Sequence, residues 1–125
     1  MGGVISPSGQ GTQKVADTGT AGFALQNATP AIQSWTAPND GNAHSVQVIA
    51  QQHVTSAETG GVVQLSYTTP DGQNLSVNMF PGGGATGNAS SSPARLVAPG
   101  STVQVQQSSA LTAGAATVWS QMWAS

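Results

Sequence analysis

Apolar and polar residues alternate with a period of two over most of this sequence, and no other feature restricts the fold as much. In SVQVIAQQHV, Val46, Val48, Ala50 and Val54 share one parity, with Gln47, Gln51 and His53 on the other. VVQLSYT sets Val63, Leu65 and Tyr67 against Gln64, Ser66 and Thr68. NLSVNMF directs Leu75, Val77 and Met79 to one side, and TVQVQQ does the same with Val103 and Val105. Successive side chains of a strand point to opposite faces, so this pattern describes antiparallel strands with one face on a core and one in water. No window carries a 3.6-residue stripe, and helices are not expected.

The connectors agree. In TPDGQ, Pro70 fixes φ, Asp71 can bond its own backbone and Gly72 supplies a positive φ, which makes a tight turn between two strands. PNDGN (38–42) and ETGG (58–61) read as turns of the same kind. Strands are expected near 21–26, 31–36, 44–55, 62–68, 74–80, 94–98, 102–107 and 115–124. With 125 residues the chain makes one domain. Short strands with frequent turns then indicate an all-β fold, a single antiparallel β-sandwich of jelly-roll or immunoglobulin-like type. Residues 21–125 form the sandwich, and the Gly, Ser, Thr and Gln-rich residues 1–20 read as an extended arm. PGGGATGNASSSP (81–93) reads as a long loop without an apolar anchor. The last strand is apolar on both faces, with Val118 and Met122 on one and Trp119 and Trp123 on the other. Such a strand is central, or buried against another subunit.

Charge narrows the partners. Lys14, Arg95, Asp17, Asp40, Glu58 and Asp71 are the only charged side chains, 5% of the residues against about 25% in ordinary domains. Two basic residues cannot neutralise a run of phosphates or hold an anionic membrane surface, so neither nucleic acid nor membrane is expected as a partner. No Cys is present, which excludes disulfides and thiolate metal sites. The N-terminus lacks the apolar stretch of a signal peptide, and synthesis in a cytoplasm is expected. Leu, Ile, Val and Phe make 22 of 125 residues, a sparse core under an uncharged surface. That combination suits a protein that completes its stability against neighbours.

Residues able to do chemistry are few. His44 and His53 are of opposite parity, so on a regular strand they face opposite sides and cannot share a metal; both read as polar residues of a sheet surface. The four carboxylates fall in expected turns or the arm, and no Ser lies in a nucleophile elbow. The glycines at 82–84 lack the Lys and the strand-to-helix setting of a phosphate loop. MGGVIS fits a myristoylation pattern, but one acyl chain holds a membrane only marginally and no basic residues support it. Neither an enzyme nor a cofactor is expected.

The aromatic residues raise a different question. Trp35 follows Ile32 in an apolar patch and reads as core. Trp119 and Trp123 suit a core, a subunit interface or a sugar-stacking platform, since Trp offers a large amphipathic contact area.

SWTAPNDGNAHSVQV, TGGVVQLSYTTPDGQN, LVAPGSTVQVQQSSALTAGAATVW and the polar Gly-rich arm together resemble the small β-sandwich virion proteins of tailed bacteriophages, of the head-decoration or minor capsid type. The resemblance spans most of 31–123. It implies a non-enzymatic protein that decorates or cements a phage capsid, seated on its exterior. The implied partners are the major capsid protein and further copies of the chain, which would form a homo-oligomer, for instance a trimer. Residues expected at subunit contacts are Val4, Ile5 and Lys14 of the arm, with Trp119, Met122 and Trp123 of the last strand. The alternative is a carbohydrate- or receptor-binding module of a tail fibre or similar adhesive structure.

Overall fold

The computed structural model describes residues 13–125. Ten strands follow in order: β1 Gln13–Asp17, β2 Phe23–Ala24, β3 Ala31–Thr36, β4 His44–Gly60, β5 Val63–Thr68, β6 Asn74–Phe80, β7 Gly87–Ser91, β8 Ala94–Val97, β9 Thr102–Gln107 and β10 Leu111–Ala124. They build two packed antiparallel sheets, a β-sandwich. In the larger sheet β10 and β4 form the centre, β1 and β2 lie end to end along β10, and β7 and β8 lie end to end along β4. The smaller sheet runs β3-β9-β5-β6.

Pairing partners reveal the plan of the chain. The β1/β2 edge pairs with β10, β3 with β9, β4 with β7 and β8, and β5 with β6. The first half of the chain therefore runs as one long hairpin against the second half. Its closing turn is TPDGQ, where Thr69 N bonds Gln73 O at 2.8 Å and Gly72 takes φ 92°. Rolling that hairpin brings β10 against β4 and β9 against β5. This is the jelly-roll arrangement; an immunoglobulin-type sandwich orders its strands ABED and CFG instead.

The alternating residues fill the space between the sheets. Val46, Val48, Ala50 and Val54 of β4 meet Val63 and Leu65 of β5, Val103 and Val105 of β9, and Val118 and Met122 of β10, all buried. Each buried Val, Leu or Met side chain among them stabilises the fold by roughly 1.5–3 kcal/mol, and β-branched Val is well suited to a pleated surface. Gln107 continues the inward parity of Val103 and Val105 and is fully buried although polar. Its Oε1 accepts from Gln26 N at 2.8 Å, and its Nε2 donates to Gln26 O at 2.6 Å and Ser109 O at 3.2 Å. The amide thus acts as a strand neighbour for the segment after β2.

Three expectations are corrected. The sandwich begins inside the segment read as an arm: Gln13–Asp17 pairs with β10 from Ala124 to Gln121, because a polar strand needs only backbone partners at a sheet edge. Residues 87–91, read as part of a loop, form β7 against β4 for the same reason. Glu58, read as a turn residue, lies near the end of the extended β4 and is buried, and the turn itself is made by Gly60 and Gly61 with φ 78° and 71°.

Candidate functional site

The outer face of the larger sheet carries both aromatic and exposed apolar residues. Register places Trp119 opposite Gln51, Gln121 opposite Ile49 and Trp123 opposite Gln47. Ile49 is therefore the diagonal neighbour of both Trp119 and Trp123, and diagonal pairs are within reach of aromatic side chains. The three make an oblique stripe flanked by Gln47, Gln51 and Gln121. Ile49 is 44% exposed and Leu96, on the same face opposite Ser45, is 59% exposed. The two Trp side chains are half-buried, and their N–H groups are occupied within the chain. Trp119 Nε1 donates to Thr20 O at 2.9 Å, and Trp123 Nε1 donates to Gln121 Oε1 at 3.2 Å. The rings are fixed in orientation with no unsatisfied donor to hide.

Trp119 also separates two grooves. One, of about 410 Å³, is lined by Asp17, Thr18, Thr20, Ile49, Gln51 and Gln121 beside the indole. The other, of about 430 Å³, runs past Gln51, His53, Asn88 and Ser90. The charges at this margin cancel: Lys14 Nζ donates to Asp17 Oδ2 at 2.7 Å. That bond, with a second from Gly19 N, holds the Asp17 carboxyl below its ordinary range.

Of the residues expected at contacts, Lys14, Trp119 and Trp123 come together here, with Trp123 opposite Lys14. Met122 does not: it is fully buried between the sheets, because alternation turns it inward where Trp123 turns outward. It is unavailable to a partner of the folded chain. Val4 and Ile5 lie outside the described residues. Ile49 and Leu96 were not expected; their outward parity on β4 and β8 was the signal that could have found them.

The other candidates resolve into structural roles. His53 is exposed on the outer face and His44 is buried on the inner one, as their opposite parity requires. His44 is thus not a surface residue. Its Nδ1 lies 2.8 Å from the main-chain oxygen of Ser125 and its Nε2 lies 3.0 Å from Asp40 Oδ1. The ring meets Trp35 edge-on, with centroids 6.2 Å apart. Both nitrogens face acceptors, first the Ser125 oxygen and then Asp40, which raises the His44 pKa above its ordinary value. Asn42 N, followed by His44, lowers that of Asp40. Asp71 accepts from Thr69 Oγ1 inside its turn. Glu58 accepts from Gln52 Nε2 at 3.0 Å, while its Oε2 has no hydrogen-bond partner among the described residues. Among the described residues no three His, Asp or Glu side chains gather as a metal site would require.

Comparison with family models, with curated proteins and with solved structures finds no match. The functional reading therefore rests on the site and the sequence.

Proposed function

We propose that this chain is a non-enzymatic structural protein that docks the outer face of its larger sheet onto other protein subunits, on the exterior of a virus particle. The observation that carries the reading is the Trp119–Ile49–Trp123 stripe, an apolar patch with Ile49 exposed between two half-buried indoles, ringed by amides with its nearby charges paired. Interface centres are depleted in charge and rich in Trp, and a fixed aromatic ring loses little entropy on docking. Gln47, Gln51 and Gln121 can exchange hydrogen bonds across such a contact without the desolvation cost of a buried ion. On a lattice, many weak contacts of this kind add to high avidity. The viral setting draws on the resemblance to phage decoration proteins and on the jelly roll, an architecture found in capsid and in lectin domains alike.

Co-sedimentation with gradient-purified particles tests this. The chain should travel with the particle at fixed stoichiometry, and Ile49→Lys or Leu96→Lys should remove it. Particles that lack the chain, or that retain both variants, would refute the docking face.

One observation favours a second reading, a neutral-glycan module. Trp119 stands as a ridge between grooves lined by Gln51, Gln121, Asn88 and Ser90, which could stack a pyranose ring and bond its hydroxyls. That reading expects quenching of Trp fluorescence by a neutral oligosaccharide and loss of the effect in Trp119→Ala. The docking reading expects no response.

A further inference from the structure

The edges of the two sheets are not equally defended. A bare strand edge presents unpaired N–H and C=O groups, and folded proteins blunt such edges with charge, proline, bulges or brevity. Along β10, β1 carries Lys14 and Asp17 and a register break between Lys14 and Ala16, and β2 has only two residues. Along β4, β7 and β8 are short, Pro93 interrupts them, and Arg95 adds a charge. In the smaller sheet β3 has a register break between Ala31 and Gln33. Gln33 is also tied across the sandwich to Ser120, whose Oγ donates to Gln33 Oε1 at 2.7 Å.

The seven-residue β6, Asn74–Phe80, lacks these defences over most of its length. It pairs with β5 alone among the described residues, contains no charge and no proline, and is regular from Asn74 to Asn78. On this side the inner face is incompletely covered. Leu75, paired with the inward-facing Tyr67, is still 44% exposed, and Val77 is only half-buried. From the other sheet Arg95 Nε donates to Tyr67 Oη at 3.1 Å, while Leu75 stays open to solvent. A backbone ladder that no other described residue fills therefore runs beside apolar side chains that need cover, the two conditions for strand addition.

We propose that the partner is a second copy of this chain, joined antiparallel through β6 to β6. The segment is self-complementary about Ser76. A two-fold axis there sets Asn74 opposite Asn78 of the other copy, Leu75 opposite Val77, and Ser76 opposite Ser76. Apolar residues then meet apolar residues on the inner side, and amides and hydroxyls meet on the outer side. With no charge in the strand, like never meets like in the sense that repels. The contact is isologous, closes as a dimer, and makes one continuous sheet of the smaller sheets of both copies. It does not involve Ile49 or Leu96, so it stands or falls separately from the docking face.

Light scattering behind a sizing column, with hydrogen exchange on the same samples, tests the pairing. The full chain should show twice the 12.4 kDa chain mass, with slow exchange along β6. Ser76→Lys sets two ammonium groups face to face across the axis and should halve the mass, whereas Ser34→Lys on β3 and Ile49→Lys should leave the dimer intact. Oxidation of Ser76→Cys should join two chains covalently, and Ser34→Cys should not. A monomer with fast β6 exchange would overturn the proposal. So would a monomer in which β6 is protected, which would assign the edge to another strand of the same chain, residues 1–12 included. A dimer indifferent to Ser76→Lys would overturn it as well.

Discussion

Replacing Gln107 by Met tests how far a polar side chain holds this jelly roll together. Met matches Gln in length and flexibility, so it should fill the same fully buried space without a large cavity. It cannot replace the three hydrogen bonds to Gln26 N, Gln26 O and Ser109 O. Each is worth about 0.5–1.5 kcal/mol net, and the groups left behind are backbone groups that no substitution removes. The sum is about 2–4 kcal/mol. For a domain of this size that corresponds to a melting temperature lower by roughly 8–16 °C. Gln107→Glu should be worse at neutral pH, because the donor that faced two carbonyls becomes a carboxylate oxygen. Urea denaturation followed by circular dichroism measures both variants, with the slope checking that the unfolded surface is unchanged. A Gln107→Met chain within about 0.5 kcal/mol of the parent would show that the amide is a passenger.

Stability should depend on pH through His44. Its pKa is raised in the folded chain, so its contribution is complete below the ordinary value of 6.5 and is lost as the pH rises through the higher folded value. Asp40, whose pKa is lowered below 3.8, remains an ionised acceptor throughout that window. The parent should therefore exceed His44→Leu in stability by more at about pH 5.5 than at about pH 9, by thermal melts in matched salt; an equal difference would show that Ser125 and Asp40 do not favour the charged imidazole. Two glycines with positive φ should part company on substitution. Gly72→Ala meets no neighbour and should cost only the left-handed backbone term of about 1–2 kcal/mol, whereas Gly82→Ala drives Cβ into the Gly60 carbonyl oxygen and should cost more, as paired denaturation curves would show. Met122→Ala should lose about 2–5 kcal/mol as a core truncation, while Ile49→Lys should change stability by less than about 0.5 kcal/mol. The reverse order would exchange the inner and outer faces of β10 and β4.

The central strands were legible because their apolar residues sit at every second position. Val46, Val48, Val103, Val105 and Val118 fall inward as alternation requires. The closing turn was legible too, since Pro70, Asp71 and Gly72 each suit one place in it. What escaped were strands with nothing to bury. Gly87–Ser91 and Gln13–Asp17 exist because β4 and β10 offer free backbone edges, a property of the sheet and not of the residues that answer it. Gln107 and His44 were hidden for another reason: a buried polar group is satisfied by partners 81 residues away in sequence, Gln26 and Ser125, which no local pattern announces. At the candidate site the two tryptophans were visible, but Ile49 joined them only through the register of β4 against β10.

Side-chain footprinting of the chain, free and bound to purified particles, tests the docking account most directly. The account expects Trp119, Trp123, Ile49 and Leu96 to label readily in the free chain and to be protected on the particle, with the outer face of the smaller sheet, Gln64 and Ser66 among it, unchanged. Protection of Gln64 and Ser66 with Trp119 and Ile49 still open would contradict it.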